Sequence, residues 1–199
     1  MLTSGYDFST AITNLFLFIT SIIIIFIIKN SKFKWFYFFI CIDSFLGVIV
    51  HGFIMSNSLN TILWYILYFL FSITFNLLLY IFCNIKLKNV MIISFLVAII
   101  MFIVFSISIK FNINRLDNIV MLLYALSIVL FSLYSIIKSN YINKFYFIIG
   151  IIIQIIGIIP IFIKFNIWYL NYNGICHLFT LITIILIYIG VIKNKDRLL

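Results

Sequence analysis

The feature that most constrains this chain is the length of its apolar runs. Seven times it holds an apolar stretch of the length that crosses the ~30 Å hydrocarbon core of a bilayer, about 20 helical residues each. They are Ala11–Ile28, Trp35–Met55, Thr61–Cys83, Val90–Ile109, Ile119–Ile137, Phe145–Ile163 and Leu170–Ile192, the outer edge of the last being blurred by Asn171 and Asn173. The runs are continuous and lack the in–out alternation of a membrane β-barrel. They therefore read as helices, whose backbone groups are satisfied within each segment. The expected fold is all-α: a polytopic bundle of seven transmembrane helices, one membrane domain over residues 1–199 with no polar stretch for a soluble domain. The first run lacks a basic flank before it and a small-residue cleavage site after it, so it reads as a true span and not as a signal peptide.

Thirteen Lys and Arg against four Asp leave the chain strongly basic. The cations sit at the ends of the apolar runs and not among exposed aromatics, which excludes nucleic acid as a partner and makes membrane lipid the expected surrounding. Lys29, Lys32, Lys34, Lys86, Lys88, Lys138, Lys144, Lys193, Lys195 and Arg197 fall on one side, and only Lys110, Arg115 and Lys164 on the other. This bias predicts an outside N-terminus and a cytoplasmic C-terminus. Trp64, Trp168 and Tyr169 would then lie at the outer interface and Trp35 at the inner one. Cys41, Cys83 and Cys176 fall in separate runs without CxxC spacing, so no disulfide framework is expected.

Polar residues inside a span are costly in hydrocarbon and mark chemistry or helix contacts. On this topology His51 lies about four residues (roughly 6 Å) below the outer end of the second span, and His177 about seven residues (roughly 10 Å) below that of the seventh. Asn14 falls in the same layer, Asn173 one turn above His177 on its face, Thr180 below it, and Asp7 ahead of the first span. Asn14, His51, Asn173 and His177 are therefore expected to converge at the outer end. Each also has a plainer reading, as a hydrogen-bonded helix contact for the histidines and as a helix cap for the asparagines. A deeper layer holds Asp43, Ser44, Asn76 and Gln154, with Asn76 the expected partner of Asp43. Its two readings are helix–helix contact and proton relay.

A second-helix histidine together with Asn173-x-x-x-His177-Leu178-x-Thr180 on the seventh resembles the CREST superfamily of seven-helix membrane hydrolases, which includes alkaline ceramidases and progestin and adiponectin receptors. There a Ser-x-x-x-His on the second core helix, a nearby acidic residue and a His-x-x-x-His on the seventh hold a zinc ion that activates water to cleave a lipid amide. The resemblance implies zinc as cofactor, with His51 and His177 as metal ligands. Asn173 stands where the first seventh-helix histidine would be, and Gly47 where the serine would be. The chain is also similar to uncharacterised bacterial seven-helix proteins related to that superfamily. That likeness rests on Ser9-Thr10-Ala11-Ile12-Thr13-Asn14, Trp35, Leu46-Gly47 and His51-Gly52-Phe53. It implies a bacterial cell membrane and an acidic residue where Asn14 stands. On these likenesses Asp7, Asn14 and Asn173 are the candidate catalytic residues.

Several functions stay open on this reading. One is a metal-dependent membrane hydrolase of a lipid. Another is a non-catalytic lipid or small-molecule binder, and a third a small proton-coupled transporter built on Asp43, Asn76 and Gln154. Bis-histidine haem ligation is geometrically allowed, whereas the seventh span carries no mid-helix lysine for retinal.

Overall fold

A computed structural model describes residues 7–111, 116–141 and 143–194, except for the side chains of residues 117 and 118. The described residues form seven α-helices: α1 (Phe8–Ile27), α2 (Ser31–Gly52), α3 (Asn57–Phe82), α4 (Leu87–Phe111), α5 (Leu116–Lys138), α6 (Lys144–Ile163) and α7 (Tyr172–Lys193). Each is long and apolar enough to cross a membrane. Most begin a few residues before the apolar run that defines them. Polar residues start them: Asp7, Asn30, Ser56 and Asn171 each accept a hydrogen bond from a first-turn backbone N–H. Hydropathy does not register such a turn, because capping residues are polar by necessity.

Six helices close a ring in the order α1, α2, α3, α5, α6, α7, with α7 returning to α1. The fourth helix packs outside it, on α3 and α5. Its buried residues, Val90, Ser94, Met101 and Phe105, form one narrow stripe, as expected of a helix touching protein on one side only. The core fills the ring: Leu17, Tyr37, Ile73, Leu77, Val129, Phe147, Ile184 and Ile187 are all buried. Tyr37 spans this core and donates its hydroxyl proton to the Ile184 carbonyl at 2.7 Å. Outward faces stay apolar, with Phe26, Phe95 and Phe162 exposed.

The seam between α6 and α7 is glycine-built. Gly157 lies so close to Phe179 that an added Cβ would stand 2.4 Å from the Phe179 Cβ, and Gly190 makes a similar approach to the Phe147 ring. Thr183 donates to the Gly150 carbonyl at 2.9 Å across the same seam. Trp35 at one end and Trp168 and Tyr169 at the other are exposed, and Trp64 is half-buried against His51 and Tyr68. The α6–α7 connection is tightened by paired backbone bonds between Ile167 and Leu170, and Lys164 and Trp168 adopt left-handed φ of 55° and 50°.

Candidate functional site

At one end of the bundle α1 stands between α2 and α7, and its first turn is the organising point. Asp7 caps α1 through Thr10 N at 3.2 Å, and its own backbone N–H donates to the His51 carbonyl at 2.7 Å, tying α1 to the last turn of α2. The Asp7 carboxylate is saturated. Ser9 Oγ (2.9 Å) and Thr10 N share Oδ1, while Thr10 Oγ1 (2.6 Å) and the Asn171 amide share Oδ2. Two donors on each oxygen fill the lone-pair positions of a carboxylate. Partial burial works to raise this carboxyl, but donors from Thr10, Ser9 and Asn171 outweigh it and hold it below the ordinary 3.8.

Asn171 is the matching element of α7. Its Oδ1 caps Gly174 N at 2.8 Å while its amide serves Asp7, so one side chain joins the starts of α1 and α7. Thr10 has one hydroxyl proton, and the charged acceptor at 2.6 Å takes it in preference to Asn171 Oδ1 at 3.0 Å.

Two turns into α1, the buried Asn14 directs its amide at α7. Its Nδ2 donates to the Thr10 carbonyl at 3.1 Å and lies 3.4 Å from His177 Nε2. Its flat amide rests on Gly47 of α2, where an added Cβ would meet Asn14 Cγ at 2.7 Å. The helix packing therefore gives to Asn14 the space that a side chain at position 47 would occupy. His51 lies beside this group, within electrostatic reach of Asp7 and His177. Its ring meets Trp64 edge-on at 5.7 Å, and Trp64 meets Tyr68 at 5.7 Å. Tyr68 is one wall of an apolar groove of about 380 Å³ between α3 and α4, with Tyr65, Phe69, Phe95, Ala98, Ile99 and Phe102.

The expected convergence thus takes a particular form. Asn14, His51 and His177 come to one end, with Asp7 folded onto it. Asn173 lies inside α7 and takes no part in the hydrogen bonds of this cluster, whereas Asn171, two residues earlier, makes the junction. Sequence reasoning missed Asn171, Thr10 and Ser9. The signal was there in the cap spacings Asp7-x-x-Thr10 and Asn171-x-x-Gly174. His51 also lies nearer its helix end than expected, since α2 stops at Gly52 and not at Met55.

The donor set fits zinc poorly. Among the described residues no three His, Cys, Asp or Glu side chains group as ligands. Catalytic zinc takes three protein ligands and a water. The third ligand would have to be Asp7, whose oxygens already carry four donors, while His177 Nε2 faces an amide.

The deeper layer does not assemble as expected. Asp43 takes its hydrogen bond from Thr74 Oγ1 at 2.7 Å, not from Asn76, and its buried Oδ1 has no partner among the described residues. Asn76 turns instead to α4 and donates to Ser94 Oγ at 3.0 Å, while the Tyr124 hydroxyl faces it from α5. Thr74 and Asn76 are two residues apart on α3, about 200° around the helix, so they serve different neighbours. Ser44 is buried on α2, and Gln154 is partly buried on α6.

No curated protein and no solved structure matches this chain. A family model does match, over residues 9–196, and so takes in all seven helices. The chain belongs to the DUF6962 family, a family of unknown function.

Proposed function

We propose that this protein is a non-catalytic binder of an amphiphilic small molecule or lipid, held in a cell membrane with its N-terminus outside. The polar head would meet His51, His177 and Asn14, and the apolar part would lie along Trp64 into the groove between α3 and α4. The observation that carries this reading is the aromatic bridge: Trp64 touches both His51 and Tyr68, and Tyr68 lines the groove. The groove, about 380 Å³ and open on one side, has the size to seat an apolar chain along α3 and α4 and not to enclose a whole ligand. The His51 imidazole offers hydrogen bonds to a head, with the paired His177 and Asn14 beside it, while the saturated Asp7 is spent on holding α1 to α7.

The zinc hydrolase reading is weaker because its third ligand is engaged elsewhere. The transporter reading loses support because Asp43 and Asn76 face different neighbours. The orientation rests on the lysine bias, and the bacterial setting on the likeness described above.

Mass spectrometry of solvent extracts from protein purified in mild detergent tests the proposal, together with elemental analysis. A co-purifying amphiphile is expected, retained by wild type and lost from Ala98→Trp, which fills the groove, and from His51→Ala. Zinc is expected well below one ion per chain. An amphiphile retained by Ala98→Trp would sink the proposal. Stoichiometric zinc that disappears in His51→Ala would reinstate the hydrolase.

A further inference from the structure

The end of the bundle opposite this site is almost purely basic. It carries Lys29, Lys32, Lys34, Lys86, Lys88, Lys138, Lys144 and Lys193. Among the described residues no carboxylate balances them, since Asp7 lies at the other end and Asp43 is buried within the bundle. Lys32, Lys34 and Lys88 fall in the first turns of α2 and α4, which have no acidic residue. A helix start already bears about half a positive charge, so lysine there costs stability unless an anion is at hand.

The lysines are not equivalent. Lys144 is used internally, donating to the Ile137 carbonyl at 2.8 Å and toward the Ser139 carbonyl at 3.4 Å. Two others are fixed across helix pairs by tyrosines. Lys32 Nζ of α2 sits 5.0 Å from the ring centre of Tyr80 of α3. Lys193 Nζ of α7 sits 4.7 Å from the ring centre of Tyr146 of α6 and donates to its hydroxyl at 2.6 Å. The loop before α6 is tied to the same place, because Asn143 Nδ2 donates to the Lys193 carbonyl at 2.8 Å. An ammonium held by a tyrosine, over its ring as Lys32 or on its hydroxyl as Lys193, keeps free N–H donors and has already lost much of its side-chain freedom. An incoming phosphate then has less ordering to impose than on a loose lysine.

We propose that this end binds the phosphate headgroups of anionic phospholipids, with Lys32–Tyr80 and Lys193–Tyr146 as its two interhelical seats. The occupant is a lipid and not free phosphate because both seats lie at the ends of lipid-facing helices. An acyl chain attached to the phosphate there has the exposed apolar faces around Trp35, Phe38 and Phe145 to lie against.

The full chain in nanodiscs of phosphatidylcholine alone, or with phosphatidylglycerol, provides the test, read by native mass spectrometry of retained lipid. Wild type should retain phosphatidylglycerol over phosphatidylcholine, with the preference falling in high salt. Lys32→Gln with Lys193→Gln should cut it by more than the about fivefold per lysine that charge alone gives. Lys86→Gln with Lys88→Gln, the same change in charge without a tyrosine seat, should cut it much less. The arginine versions Lys32→Arg and Lys193→Arg should keep it and serve if the glutamine pair fails to fold. Equal retention of the two lipids by wild type would overturn the proposal, as would equal loss from the two glutamine pairs. So would inorganic phosphate that displaces the retained phosphatidylglycerol at an ionic strength where chloride does not.

Discussion

The Asn14 amide lies flat on the backbone of Gly47, and an added Cβ at position 47 would stand 2.7 Å from Asn14 Cγ. A polar residue of α1 thus occupies the volume that α2 leaves empty, and this places Nδ2 3.4 Å from His177. Gly47→Ala should push the Asn14 side chain away and loosen the three-helix contact, costing about 1–3 kcal/mol as overpacking does. Asn14→Ala in the same chain should relieve that clash. The double variant should therefore be more stable than the sum of the single losses by about 0.5–3 kcal/mol. Thermal unfolding of the four proteins in one detergent measures it, and strict additivity would refute the contact.

Asp7 should make stability depend on acid. Its folded-state carboxyl is held below 3.8 by its hydrogen-bond donors, so folding favours the ionised form. That stability is fully present above 3.8 and is lost as pH falls through the lower folded value. Melting temperature should stay level from neutral pH to about 5 on this account and drop below 4. Asp7→Asn should be less stable at neutral pH, because an amide cannot accept four donors, and should flatten the acid limb. An unchanged acid limb in that variant would show that another group controls it.

Thr74 is the hydrogen-bond partner of Asp43, at 2.7 Å, inside the bundle. Thr74→Val removes the hydroxyl at nearly constant volume and leaves both carboxyl oxygens unpaired, so it should cost about 1–2 kcal/mol. Thr74→Ser should restore most of this. Asn76→Leu should leave the Asp43 site alone and instead weaken the contact between α3 and α4. Denaturant titration of the three variants in mixed micelles separates these outcomes.

Glycine in the α6–α7 seam should be required by contact and not by backbone freedom. Gly157→Ala would bring its Cβ to 2.4 Å from the Phe179 Cβ, an atom that cannot move without moving α7. It should lose about 1–3 kcal/mol despite the better helix propensity of alanine. Gly52→Ala meets only the Ala11 methyl at 3.4 Å and should stay within about 0.5 kcal/mol of wild type. Equal effects at the two positions in thermal unfolding would argue against a tight seam.

The sequence alone determined the seven apolar helices, their order, the basic end and the end where the histidines gather. These are properties of single residues against lipid or water, and hydropathy and charge report them directly. Which polar groups touch was decided only by tertiary structure. Asn171 makes the junction and Asn173 does not, although they are two residues apart. Thr74 serves Asp43 while Asn76 serves Ser94, and Trp64 packs its ring against His51. Each step along a helix turns a side chain by about 100°, so partner choice depends on the rotation and neighbours of every helix. In this bundle those are set by close approaches such as Gly47 on Asn14 and Gly157 on Phe179. Such contacts are relations between residues far apart in the chain, and no residue pattern within one span encodes them.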